Sequence, residues 1–164
     1  MGSPIFSSPD VPTTLKGNAD GMVLDEDIVM SDGNTLKCSA VSMGNPHCIT
    51  FTDKEMPEDK FLAYGEELEK SEYFPNKTNV EFINIISEDV INMKVWERGA
   101  GPTLACGTGA CASVVAAVAT GRLKRDKEIT VKLPGGDLFI TYHNDGKVTM
   151  RGGAEKSFQG EWRF

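Results

Sequence analysis

The sequence predicts an α+β domain in which a curved, mostly antiparallel sheet wraps around one central apolar helix. Three observations lead there. Short apolar, β-branched segments recur between turn signals along most of the chain, and residues 106–119 are apolar nearly all round. The chain of 164 residues carries 40% hydrophobic and 25% charged residues, the mix of one globular domain rather than of a disordered segment. A helix with no polar face must be covered on every side, so the strands have to close over it.

Residues 1–21 are rich in Pro, Ser, Thr, Asn and Gly without periodicity. They read as an irregular lead-in or interdomain linker with room for one short strand, and residues 22–164 as the domain proper. Apolar residues recur at strand spacing over 22–30 and 35–42, around the turn signal Ser31-Asp32-Gly33-Asn34. Residues 48–52 form a further strand. Over 57–71 a proline and two acids precede Phe61, Leu62, Tyr64 and Leu68, as in an amphipathic helix with its acids at the positive end; Gly65 works against it. Residues 80–86 and 90–96 make a hairpin across Ser87-Glu88-Asp89. Strands follow at 128–133, 137–142 and 147–150, joined by Pro134-Gly135-Gly136 and Asn144-Asp145-Gly146. Between the two sets runs the helix 107–119, ended by Gly121, with Arg122, Lys124 and Arg125 near its negative end.

The formal net charge of -7 is spread along the chain. It excludes a nucleic-acid partner, which needs a basic stripe; Lys124-Arg125 fits a solvated helix end instead. No apolar run approaches the roughly 20 residues that cross a bilayer, and no basic-then-apolar leader opens the chain. A cytoplasmic location, or a plastid stroma, is expected, with no membrane partner. Cys38, Cys48, Cys106 and Cys111 lack metal-ligand spacing and are too few for a disulfide framework at this length. Cys38, Cys48 and Cys111 read as small core residues.

Cys106 differs. The segment from Trp96-Glu97-Arg98-Gly99-Ala100-Gly101 to Ala105-Cys106-Gly107-Thr108-Gly109 places a strand end, a glycine-rich turn, a cysteine and a helix start in succession. Uncapped N–H groups at a helix start attract an anion such as a substrate carboxylate, and the same partial positive charge favours a thiolate at Cys106. Arg98 offers a fork to a second carboxylate, and Glu97 can accept an ammonium group. Together they select an amino acid. Gly44-Asn45-Pro46-His47 forms a defined turn that can present polar groups, with His47 able to relay a proton. Asn76 and Asn79 are both candidate ligands, and spacing does not choose between them.

Five motifs in order, Met43-Gly44-Asn45-Pro46-His47, Thr78-Asn79-Val80-Glu81-Phe82, Trp96-Glu97-Arg98-Gly99-Ala100-Gly101, Ala105-Cys106-Gly107-Thr108-Gly109-Ala110 and Leu133-Pro134-Gly135-Gly136, resemble the diaminopimelate epimerases. Met1-Gly2-Ser3-Pro4 also looks like that family's crossover between domains. The resemblance implies a racemase-type isomerase working without pyridoxal phosphate or metal. One cysteine removes the α-proton of LL-diaminopimelate and another returns one from the opposite face, giving the meso isomer for lysine and cell-wall precursors. Cys106 matches the second cysteine. Asn45, Asn79, Glu97, Arg98, Gly107 and Thr108 match substrate-binding positions, and His47 and Glu97 match groups that adjust the cysteines' ionisation. The Cys-Gly-Asn-Gly motif of the family's first half is absent from these residues, so the expected partner is an amino-terminal half or a second copy in a homodimer. An isolated amino-acid-binding module and a proline or hydroxyproline racemase relative are the other two readings.

Overall fold

A computed structural model describes residues 1–162 of the chain; residues 163–164, the last of the predicted domain, lie outside the described residues. The strands are β1 Glu26–Val29, β2 Thr35–Ser42, β3 Pro46–Thr52, β4 Asn79–Ser87, β5 Val90–Glu97, β6 Gly101–Thr103, β7 Glu128–Leu133, β8 Gly136–Tyr142 and β9 Val148–Gly152. The helices are α1 Glu58–Glu69 and α2 Gly107–Ala119. Among the described residues the strands form one sheet in the order β1-β2-β3-β4-β5-β7-β8-β9, with β6 hairpinned back onto β5.

Most joints are antiparallel, as expected, and two are parallel: β3 with β4 and β5 with β7. Each parallel joint has a helix in its connection, because strands running the same way need a long crossover. α1 bridges the first and α2 the second. Helix α2 packs against β2, β3 and β4 and also against β8 and β9. In a flat sheet β2 and β9 would stand roughly 29 Å apart at the usual strand spacing, beyond the reach of a helix about 10–12 Å wide. The sheet therefore curls around α2.

Strand alternation sorts the side chains into two cores. Ile49, Ile83, Ile91, Met93 and Val95 face α2, whose residues Ala110 to Ala117 are buried on every side. Cys38, Ala40, Cys48, Val80 and Phe82 face the other way and meet Phe61, Tyr64 and Leu68 of α1. Cys38, Cys48 and Cys111 are thus core residues, as read, and all four cysteines are free thiols.

Local details depart from the sequence reading for physical reasons. The lead-in forms no regular element, yet it buries Val11 and Leu15 in the α1-side core and is tied down by Thr13, whose hydroxyl donates to the Tyr73 carbonyl at 2.8 Å. The first strand begins only at Glu26, because Asp25 has a left-handed φ of 53° that breaks the extended run. The glycine-rich turn before α2 contains a strand, β6, not anticipated. Arg122 and Arg125 do not serve α2's last carbonyls: Arg122 pairs with Asp25 at 2.8 Å, and Arg125 lies over the Tyr142 ring. Those carbonyls are met by backbone, Gly121 N–H to Val118 and Arg122 N–H to Ala117. No helix among the described residues is long and apolar enough to cross a membrane.

Candidate active site

The period-2 alternation that buries Ile49, Ile83 and Val95 against α2 also aims His47, Glu81 and Glu97 at that side, each two residues along its strand from one of them. In register, His47 stands beside Asn79 and Glu81 beside Val95. Three strands thus deliver polar groups to one end of the central helix. Cys106 is the N-cap of α2, in extended conformation, 7% exposed, and its side chain makes no capping hydrogen bond. Its Sγ lies 3.6 Å from the Thr108 hydroxyl.

The ionisation of Cys106 is set by opposing effects. Burial pushes the thiol above its ordinary value; the Thr108 hydroxyl and the Gly109 N–H pull it back, and the Glu81 and Glu97 carboxylates push it further up. The net direction is upward, against the lowering that its place at the helix start suggested. Desolvation is the largest of these effects. Deeper in α2, burial pushes Cys111 up to about 12.

His47 is fully buried: its Nδ1 lies 2.6 Å from Glu81 Oε1, and its Nε2–H donates to Asn45 Oδ1 at 3.0 Å. Asn79, 4% exposed, is a clamp whose Oδ1 accepts from the Arg98 N–H at 2.9 Å and whose Nδ2 donates to the Pro46 carbonyl at 2.9 Å. It ties the Gly44–His47 turn to the Glu97–Arg98 turn. Glu97 accepts from the Thr103 hydroxyl at 2.5 Å, and the exposed Arg98 guanidinium rests on the Asn76 carbonyl at 3.3 Å. Gly107 and Thr108 open α2 half-buried, beside the exposed Met150. Cys106, Gly107 and Thr108 thus stand at the start of α2, with the Glu97 charge reaching Cys106. Asn45, His47, Asn79 and Arg98 are linked to one another at the neighbouring strand ends, and the Arg98 guanidinium turns to Asn76. Among the described residues no group of three His, Cys, Asp or Glu is arranged to hold a metal.

Two residues were missed. Glu81 shares a strand face with Ile83 and Ile85, and a carboxylate in an apolar alternation was the available signal. Glu69, at the end of α1, accepts from Trp96 Nε1 and from the Gly99 N–H, both at 2.8 Å, and so holds the Arg98–Gly99 turn from below. Its reach across the sheet edge left no mark in the sequence.

A profile of the diaminopimelate epimerase family matches residues 39–157, most of the chain and every part of the site just described. The chain belongs to the diaminopimelate epimerase family. It is 52% identical to the diaminopimelate epimerase of Desulfitobacterium hafniense, over 98% of this chain and 54% of that protein. It is 47% identical to the chloroplastic diaminopimelate epimerase of Oryza sativa subsp. japonica, over 98% of this chain and 46% of that one. The chain thus spans about half the length of the curated diaminopimelate epimerases it matches. Among solved structures it resembles a hydroxyproline epimerase from Agrobacterium vitis, with a TM-score of 0.59 at 13% identity over 77% of this chain and 44% of that one. A probable proline racemase from Agrobacterium radiobacter gives 0.57 at 13%, over 77% of this chain and 45% of that chain. These two likenesses place the fold alone.

Proposed function

We propose that this chain supplies one half of the active site for the epimerisation of LL-diaminopimelate to the meso isomer, with Cys106 as one of two acid–base thiols. The observation that carries the reading is Cys106 at the N-cap of a buried helix, with Asn45, His47, Asn79, Glu97 and Arg98 linked at the ends of three neighbouring strands and the Glu97 charge reaching the thiol. The α-carboxylate sits on the first-turn N–H groups of Gly107 and Thr108, where the helix end stabilises the charge that develops once the α-proton leaves. Glu97 and Arg98 take the distal ammonium and carboxylate. A base on the opposite face removes the α-proton; the Cys106 S–H bond breaks as its proton joins the α-carbon, leaving a thiolate. A thiol held above its ordinary pKa by burial suits that donor role.

The opposite face belongs to an amino-terminal half or a second copy, a reading supported by the half-length match to relatives and by Leu104, 69% exposed, beside the site. The bacterial relatives and the chloroplastic rice relative support a cytoplasmic or stromal setting. No cofactor enters this chemistry.

The test is α-proton exchange of LL-diaminopimelate in deuterated water, followed by NMR for the chain joined to the amino-terminal half of the Desulfitobacterium relative. Cys106→Ala is expected to cut exchange on the order of 10²-fold or more. Exchange unchanged in that variant would sink the reading. Saturable binding of diaminopimelate without exchange in the joined protein would favour a binding module instead.

A further inference from the structure

Glu81 has no part in the chemistry so far, yet it is the most enclosed charged residue at the site. Its carboxylate is fully buried, with Oε1 2.6 Å from His47 Nδ1 and Oε2 without a hydrogen-bond partner among the described residues. It reaches α2 at Gly109. A Cβ added to Gly109 would stand 2.5 Å from Glu81 Oε1 and 3.2 Å from Cys106 Sγ, so the two groups face each other across the space that glycine leaves. A glutamate kept only for structure would have both oxygens satisfied, since an unpaired buried polar atom is costly.

Because Asn45 Oδ1 accepts from Nε2, the ring carries its proton there, and Nδ1 and Oε1 share one further proton. The pair is neutral overall wherever that proton sits. On Oε1 it presents an uncharged carboxyl to Cys106; on Nδ1 it presents a carboxylate.

We propose that Glu81 is a positioning residue for Cys106: it holds His47 through a shared proton, and movement of that proton along the 2.6 Å contact switches the charge facing the sulfur without exchange with solvent. A carboxylate opposite the sulfur favours the thiol, and an uncharged carboxyl favours the thiolate. An epimerase thiol must be both in turn, and in that respect the inference rests on the proposed function. The other titratable groups near this unit are Glu97 from β5 on the same face, Cys111 within α2 beside Cys106, and Cys48 on the opposite face of β3, which feels the Glu81 charge through the sheet.

The coupling is read without substrate. Iodoacetamide alkylation of Cys106, located by mass spectrometry across a pH series, gives the midpoint of its ionisation. Glu81→Gln removes the facing carboxylate, and the midpoint is expected to fall by about one pH unit. A purely structural role would change stability and leave the midpoint in place. As a second measurement on the unaltered site, a His143→Gln chain, in which His47 is the remaining histidine, is expected to show a strongly downfield ring proton at Nδ1 by NMR. An unmoved midpoint in folded Glu81→Gln, or a His47 ring without that proton, overturns the proposal. Failure of diaminopimelate to exchange bears on the proposed function alone.

Discussion

At the scale of single residues, buried carboxylates decide how the site is held. Glu69 is 3% exposed, and its partners outweigh the cost of burial: Trp96 and Gly99 donate to it, Lys77 lies 3.6 Å away, and the carboxyl is held below its ordinary pKa. A carboxyl lowered in the folded state contributes stability that is present above its unfolded pKa and is lost as pH falls through the folded value. Glu69→Gln is therefore expected to cost about 2 kcal/mol near neutral pH, the worth of hydrogen bonds to a charged group. Urea unfolding of both chains from neutral to acid pH checks this: the gap should narrow on acidification, and a gap independent of pH would contradict it. Glu81 works in the opposite sense, since burial raises its pKa and its contribution declines as pH rises from the unfolded toward the raised folded value. Residues such as Asn45, His47, Glu97 and Cys106 stood out because they sit in or beside glycine-containing turns that can present polar groups. Glu69 did not, because its partners lie 27 and 30 positions away; Glu81 showed only as a carboxylate in an apolar alternation, with its partner His47 34 positions away.

At the scale of elements, α2 was the most legible part, and its limits match at both ends. Small residues without a polar face leave a buried helix as the stable outcome, and their size lets strands approach from both sides. Its end depends on Gly121, at φ 75°, whose N–H bonds the Val118 carbonyl. Nothing lies within 4 Å of a Cβ built there, so Gly121→Ala meets backbone strain alone. It should destabilise the chain by about 1 kcal/mol in denaturant unfolding and leave the alkylation midpoint of Cys106 unmoved. A neutral or stabilising result would mean that the turn has another conformation. The hairpins were legible from their turns, but β6 was not: three residues, Gly101-Pro102-Thr103, have no alternation to read, and their pairing with β5 is supplied by Glu97 and Thr103.

For the whole molecule, the buried site adjoins exposed apolar residues. Leu104 and Met150 are exposed beside the start of α2, an apolar margin that a partner surface would remove from water. The isolated chain is expected to self-associate as its concentration rises in light scattering. Adding the amino-terminal half of the Desulfitobacterium relative should replace that with a one-to-one species and raise α-proton exchange at least tenfold. A chain that stays monomeric at high concentration and ignores the added half would show that this margin needs no partner.

By itself the sequence determined what local chemistry can determine: the strands and their turns, the buried helix, its glycine stop, and the cluster of motifs around Cys106. Those signals arise within a few residues, where backbone preference and side-chain spacing act directly. Only the tertiary structure decided which strands run parallel, that the lead-in packs into the α1-side core, and that burial is the largest effect on the Cys106 thiol. It alone placed Glu81 between His47 and the sulfur. Desolvation and charge act through space, and the distances that set them exist only once the sheet has closed around its helix.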